Sequence, residues 1–299
     1  MKKANNDRGV IMFAHNNSEI DYFRLAVVNA FLIQKNLGVK NVTVVTDPHS
    51  LKYGEKTLGK KLIKKAINNI VLVSKDKEFK RKNQRLFKDT SHNAKRLEFY
   101  NANRCDAYEL SPYKETILLD ADYLILSDTL NHCWGHNNEI MMNWKFQDVM
   151  RDRKDPTLDR LFNMGITMYW ATVVYFRKTD YVESFFNFVK HVRDNPQFYR
   201  DLYRWQGSVY RNDYSFSIAA HIMSGFVDKG LPQLPTTLYK TFDTDDVYKA
   251  IDHKSLLMYL EKPRSPGDFI LSKIENLDVH VMNKWAVNRI SDELLEYAI

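Results

Sequence analysis

The sequence predicts an α/β fold with a mainly parallel central sheet flanked by helices, and three observations predict it. A short apolar run, a helical repeat and a β-branched run follow one another within residues 9–47. A second apolar run, Ile117 to Leu119, ends abruptly in acidic residues. No Gly/Ser/Pro-rich linker and no internal repeat divides the 299 residues, a length that suits one large α/β unit. The chain 1–299 is therefore read as a single domain.

The elements follow in order. GVIMFAH (9–15) reads as a short apolar strand. After polar HNNS, Phe23, Ala26, Val27, Ala30 and Phe31 recur at helical spacing, and Gly38 is the expected stop. NVTVVTD (41–47) is rich in β-branched residues and reads as a strand. Strand, helix, strand at this spacing is a βαβ unit, with parallel strands and a right-handed crossover. Residues 57–68 read as a basic helix, 69–74 as a third strand, 75–93 as an exposed polar segment and 94–110 as a helix. TILLDADYLILSD (116–128) opens as a strand. Residues 131–162 are irregular, TMYWATVVYFRK is a strand, and 179–195 is an amphipathic helix capped at Thr179 or Asp180. NDYSFSIAAHIMSG is a helix stopping at Gly225, the prolines from Pro232 to Pro266 mark loops, and FILSKI and LDVHVMNKW supply two short late strands.

Hydrophobic residues make up 44% and charged residues 27%, which excludes a wholly disordered chain. Two cysteines, Cys105 and Cys133, cannot staple a chain of this size, and they sit in no CxxC pair. Together with a start that fails as a signal peptide, this predicts a cytoplasmic protein. No stretch reaches eighteen apolar residues, so no membrane-spanning helix is expected. The net charge is +7, concentrated in Lys60, Lys61, Lys64, Lys65, Lys80, Arg81, Lys82, Arg85 and Lys88. Such a run fits a polyanionic partner such as nucleic acid; a solvated helix face is the alternative.

The chemistry points to Asp120-Ala121-Asp122. The three apolar residues Ile117 to Leu119 suit a central strand buried on both faces, and ligands of open α/β sheets bind beyond the carboxyl ends of strands. Two carboxylates there suit a hard divalent cation that bridges diphosphate oxygens and stabilises a leaving nucleoside diphosphate. Solvated acids at a strand end are the alternative.

In this context LLDADYLI resembles the Asp-x-Asp motif of GT-A glycosyltransferases, in a form similar to family 8 enzymes. The opening VIMFAHN, DYFRLAVVNAFLIQKNLG and VTVVTD resembles the same family's start. The resemblance implies the GT-A, Rossmann-like nucleotide-diphospho-sugar transferase fold, with about 9–128 as the donor half and about 129–299 as the acceptor half. It implies a nucleoside-diphosphate sugar, UDP-linked, as donor, and retention of anomeric configuration. Ala14, His15 and Asn16 would line the nucleotide pocket, Tyr22 would stack on the base and Asp47 would contact base or ribose. Ordinary loop capping is the alternative for His15 and Asn16. Arg96 matches an arginine placed near the donor; an exposed helix arginine is the alternative. Asp213 matches an acid near sugar and acceptor; a helix cap is the alternative.

Val279-His280-Val-Met-Asn283-Lys284-Trp285 resembles the C-terminal motif of family 8, in which a His completes the metal site and a Lys holds the diphosphate. His280 would join Asp120 and Asp122 on Mn2+ or Mg2+, with Lys284 on the diphosphate. The spacing is shorter here and the usual Gly and Pro are missing. The family's Asn-x-Gly departs too: Asn163-Met-Gly165 lies early, and Trp170-Ala171-Thr172 holds the aligned place. The compact, Asn- and Lys-rich chain also resembles bacteriophage proteins, which makes a hydroxymethylated base in DNA an expected acceptor. Surface polysaccharide, lipid-linked sugar or protein are the rival acceptors. A sugar-nucleotide synthase is disfavoured because AHNNSEID lacks the Gly-rich loop. A GT-A-like nucleic-acid-binding protein without catalysis is the remaining alternative. Oligomeric state is not legible.

Overall fold

The computed structural model describes residues 7–74, 84–90, 92–100, 102–150, 153, 159–162, 165–205 and 210–299. The chain opens with β1 (Arg8–Phe13), α1 (Tyr22–Asn36), β2 (Val42–Thr46), α2 (Pro48–Thr57), α3 (Lys60–Ala66) and β3 (Asn69–Leu72). β1, β2 and β3 pair in parallel, as the βαβ pattern requires. Asp21 caps α1 by accepting from the Arg24 N–H, and Gly38 follows the helix at φ +69°, where a side chain would be strained. The basic helix expected over 57–68 is α3, and α2 precedes it as a further helix, not among those expected from sequence. Asp47 caps α2 from the His49 and Ser50 N–H groups, with Pro48 at the first turn.

Next come β4 (Gln84–Lys88) and β5 (Ala94–Glu98), an antiparallel ribbon, then a 3-10 turn (Ala102–Asp106) running into the single-turn α4 (Ala107–Leu110). The expected helix over 94–110 is thus not formed. Phe87 and Leu97 are the ribbon's buried residues, and a short apolar pattern of this kind suits either period.

β6 (Glu115–Asp120) joins β1 in parallel and is buried along its apolar run. β7 (Tyr123–Leu124), a 3-10 turn (Thr129–Cys133), β8 (Ile140–Asn143) and β9 (Phe146–Asp148) lead to β10 (Trp170–Arg177). The central order is β3-β2-β1-β6-β10-β8. β10 runs antiparallel to both β6 and β8, so the sheet is mixed, with β10 the one reversed strand in a mainly parallel set as expected. The chain enters β10 at the carboxyl end of β6, and among the described residues between β8 and β10 there is no helix to carry it to the other end.

Alternate residues of the strands face two cores. Val10, Met12, Val44, Ile117 and Leu119 pack with α1. Ile11, Phe13, Val45 and Leu118 pack with α5 (Asp180–Asp194), which Thr179 caps, and with α7 (Asn212–Met223); α6 (Pro196–Tyr203) lies between them in sequence. Helices on both faces explain why β1, β2 and β6 are apolar without alternation.

The region 226–270, which showed no family pattern, holds β11 (Leu238–Lys240), β12 (Asp246–Asp252), β13 (Ser255–Glu261) and the start of β14 (Phe269–Glu275). β12, β13 and β14 form an antiparallel sheet. β15 (Val279–His280) pairs with β11 and β7, and α8 (Lys284–Arg289) and α9 (Ser291–Ala298) close the chain against α1 and β12. No helix among the described residues is long and apolar enough to cross a membrane.

Candidate active site

The site is made by strand ends. Asp120 is the last residue of β6, opposite Phe13 of β1. The chain then turns through Ala121 and Asp122 into β7, where Tyr123 pairs with His280 of β15. The Val281 N–H donates to the Asp122 carbonyl at 3.1 Å. This pairing carries a histidine from far along the chain to the carboxylates and sets α8 beside them. Asn283 caps α8, accepting from the Ala286 N–H, so Lys284 occupies the first helical position facing Asp122.

Asp120, Asp122 and His280 offer ligand atoms that all lie within 4.8 Å of one another. His280 Nε2 is 3.4 Å from Asp122 Oδ1 and 3.9 Å from Asp120 Oδ2, while its Nδ1 lies 3.4 Å from the Thr172 hydroxyl. The ring therefore turns one nitrogen to the carboxylates and is held through the other, as metal-binding histidines usually are. Lys284 Nζ sits 2.5 Å from Asp122 Oδ2 and donates to the Val281 carbonyl at 2.9 Å. The two acids divide. Burial opposes ionisation of both, but Lys284 and His280 outweigh it at Asp122 and hold that carboxyl well below the usual range. At Asp120 burial wins over the Arg104 charge, and nearby Asp122 adds to it, so the carboxyl is pushed up.

Arg104, from the 3-10 turn before α4, bonds the Asp120 carboxylate and the Ala171 carbonyl. It is almost wholly buried, and its Nε has no partner. No local sequence signal marks it, because its partners lie elsewhere in the chain. Arg96, the arginine expected here, stands on β5 with its side chain exposed and outside the cleft. Arg104 reaches the Asp120 carboxylate, and Arg96 does not line this cleft.

The cleft is lined by His15, Tyr22, Asp120, Ala121, Asp122, His280 and Lys284, joined by Phe13 and by Arg85, Phe99 and Tyr100 from the ribbon and its exit. Buried His15 Nε2 and Tyr22 Oη have no hydrogen-bond partner, so the cleft presents two polar atoms suited to a ligand. Burial first, then the Asp122 charge, pushes the Tyr22 phenol far up, so it stays a neutral donor. His15 Nδ1 lies 3.3 Å from Asp47 Oδ2. Asp47 also accepts from Ser50 Oγ at 2.6 Å, which makes it the orienting group for His15 as well as the cap of α2. Asn16 shapes the loop, accepting from the Phe23 N–H and donating to Asp21. Ala14 is buried between β1 and β2 and does not line the cleft.

Asp213 lies in the first turn of α7, but the cap position is Arg211. One carboxylate oxygen accepts from the Ala171 N–H at 2.9 Å and the other from Arg211 at 2.7 Å. Burial raises its pKa, but Arg211 and the Ala171 N–H outweigh it and lower the value overall, which makes it a weak base. Ala171 thus has its N–H held by Asp213 and its carbonyl by Arg104, which fixes β10 beside Asp120. Asn163 and Met164 lie outside the described residues.

The acid cleft is narrow, with a cavity of about 50 Å³. Wider grooves of about 580 and 430 Å³ lie at Arg8, Lys40 and Lys114 and at Arg160, Leu202 and Arg204. The carboxylates, and not cavity size, locate the chemistry.

No protein-family model matches the sequence, and no curated protein matches it. Among solved structures, a galactosyltransferase, LgtC, in complex with donor and acceptor sugar analogues is similar over 78% of this chain and 73% of its own, at 12% identity and a TM-score of 0.42. Mouse xyloside xylosyltransferase 1 is similar over 71% and 81%, at 13% identity and a TM-score of 0.41. A 4-diphosphocytidyl-2C-methyl-D-erythritol synthase from Anaerococcus prevotii is similar over 79% and 87%, at 10% identity and a TM-score of 0.36.

Proposed function

We propose that the chain is a glycosyltransferase that moves a sugar from a nucleoside-diphosphate sugar, a UDP-sugar, to an acceptor hydroxyl. The observation that carries the reading is the Asp120–Asp122–His280 group at the carboxyl end of a buried central strand, with Lys284 beside it. Two carboxylates and an imidazole turned to the same point fit a divalent cation, Mn2+ or Mg2+. Such an ion supplies charge stabilisation for the leaving diphosphate. Lys284 and Arg85 are the cations facing the same cleft, suited to phosphate oxygens. Tyr22 and His15 are placed to hold the nucleoside. Asp213 and Arg104 act as positioning residues through Ala171. Residues 9–128 and 129–299 work as one catalytic unit, because His280 and Lys284 complete a site that Asp120 and Asp122 begin. A donor of this size needs a pocket of several hundred Å³, so Arg85, Phe99 and Tyr100 must move aside when it binds.

For the acceptor we propose a hydroxymethylated base in DNA. Lys52, Lys56, Lys60, Lys61, Lys64 and Lys65 are all exposed on α2 and α3, with Lys60 paired to Glu55. Asp47, the cap of α2, meets His15 in the cleft, so the helix that carries Lys52 and Lys56 starts at the cleft's edge. A phosphate backbone laid there would be held electrostatically, and the target base would have to leave the stack to reach the cleft.

The test is donor hydrolysis with manganese across UDP- and GDP-sugars, wild type against Asp122→Ala. We expect release of nucleoside diphosphate that the substitution lowers by about 100-fold or more, with the fold intact by circular dichroism. Turnover that survives Asp122→Ala would rule the reading out. Repeating the assay with hydroxymethylated DNA tests the acceptor: Lys61→Glu with Lys64→Glu should weaken DNA binding and flatten its salt dependence. Unchanged affinity would leave the transferase reading standing and remove DNA from it.

A further inference from the structure

The four most exposed large apolar side chains among the described residues are Phe226 (68%), Phe198 (62%), Leu202 (59%) and Val227 (56%), and they lie on two elements in contact, α6 and the loop after α7. Phe198 and Leu202 stand one helical turn apart on the outer side of α6, whose inner side buries Tyr199 against Val192, Trp205 and Ile218. Phe226 and Val227 form the tip of the loop after α7. The rings of Phe226, His221 and Tyr203 run in contact across to α6, with centroids 5.5 and 5.7 Å apart.

The tip is held rigidly. The Phe226 N–H donates to the His221 carbonyl and the Gly225 N–H to that of Ile222, which is a Schellman ending. Ser224 Oγ bonds the Val227 carbonyl at 3.1 Å, and the Thr167 N–H and hydroxyl both donate to Asp228. Gly225 meets the left-handed backbone of this ending without strain, but Phe226 shares it at φ +66°. A bulky residue pays for that conformation, and here little burial within the chain repays it.

Beside the tip opens a groove of about 430 Å³, lined by Phe162, Ile166, Leu202, Tyr203 and the Arg160–Asp228 pair. A rigid apolar knob next to an apolar groove on the same face is what a two-fold interface needs, since each copy must offer both halves of the contact. We propose that this face is the interface of a symmetric homodimer, with Phe226 and Val227 of each copy seated in the groove of the other. A Phe–Val pair is smaller than the ligands that grooves of this volume hold. The rim mixes Arg200, Arg204 and Lys229 with Asp201 and Asp228. Such mixed charge suits a self-complementary protein surface better than an anionic lipid face, which favours one sign.

The test is sedimentation velocity of the full chain without donor, metal or acceptor, so it stands or falls apart from the transferase reading. Two variants are used: a knob variant, Phe226→Ser with Val227→Ser, and a groove variant, Leu202→Arg. All three positions are exposed, and thermal melts check that both variants stay folded. Wild type should be dimeric at about 50 μM, and each variant alone at least about tenfold weaker. Mixing the two variants should restore dimers, because one intact knob-and-groove contact survives only in the mixed pair. A wild type that stays monomeric overturns the proposal, as does a dimer that both variants leave intact. Variants that dissociate singly but fail to rescue each other overturn the two-fold arrangement. A monomer that sediments with anionic vesicles shows that the face binds lipid instead.

Discussion

Two buried acidic centres lie close in the fold and do different work. At the first, Asp120 and Asp122 face a cleft with His280, and their cations approach from the sides. At the second, Asp148 and Asp245 close on Arg153. Arg153 grips Asp245 with two nitrogens at 2.6 and 2.7 Å and Asp148 at 2.8 Å, and the Phe242 ring covers its guanidinium at 4.2 Å. The Phe242 and Glu261 N–H groups also donate to Asp245. At the second centre the chain itself satisfies Asp245 and leaves only Asp148 Oδ2 buried without a partner, whereas the first turns its ligand atoms to an open cleft. Paired acids alone do not make a site. The histidine and the cleft distinguish the first centre from a structural knot.

The sharpest way to break this contrast is to exchange the expected losses. Asp245→Ala strands a buried guanidinium and should cost about 3–5 kcal/mol of stability, read as a fall in the urea midpoint. Donor turnover by the protein that remains folded should stay near wild type. Asp122→Ala should do the reverse, abolishing turnover with a smaller change in midpoint, although it too leaves a cation, Lys284, without its partner. If Asp245→Ala silences turnover in fully folded protein, the division into knot and site is wrong.

A smaller effect sharpens the first centre. His280→Ala removes one of three ligand groups, and it should weaken manganese activation by about 10- to 100-fold, seen as a shifted metal concentration for half-maximal turnover. Saturating metal should recover much of the rate. An unshifted curve with a lower ceiling would place His280 among positioning residues rather than ligands.

Much of the first centre was legible in sequence because its signal is local. Ile117, Leu118 and Leu119 announce a buried strand, and Asp120 and Asp122 mark its end within a few residues. His280 and Lys284 were legible only through a family resemblance, since their place beside the acids depends on the β7–β15 pairing. Arg104 went unread because its partners, Asp120 and Ala171, lie elsewhere in the chain, and Arg96 was singled out only through the resemblance. The direction of β10 was not legible either. Apolar runs report burial on two faces, and they carry no information on which way a strand enters the sheet. The Arg153 knot went unread because Asp148, Arg153 and Asp245 come together only through the β9–β11 pairing and the turn that follows it.

The smallest predicted effect concerns a third acid, Asp278, which adjoins β15 and, among the described residues, has no histidine or cation at its carboxylate. It accepts from the Leu126 and Ser127 N–H groups at 2.8 Å and from the Thr129 hydroxyl at 3.1 Å, tying the end of β7 to β15. Burial nonetheless pushes its carboxyl up to about 6, against 3.8 for an ordinary aspartate, because neutral donors do not offset the lost hydration. Between those values the folded chain keeps a proton that the unfolded chain has released. Its contribution to stability is therefore fully present below pH 3.8 and is lost as pH rises through 6. The whole span is worth roughly 2–3 kcal/mol. Asp278→Asn keeps an acceptor for the two N–H groups and removes the titration. The variant should melt higher than wild type at pH 7–8, and the difference should shrink as pH falls towards 4, measured by thermal unfolding across that range. Parallel curves for the two proteins would mean that the Leu126, Ser127 and Thr129 donors hold the charge as well as water does. The third centre would then belong with Asp245, as a carboxylate the fold has fully satisfied.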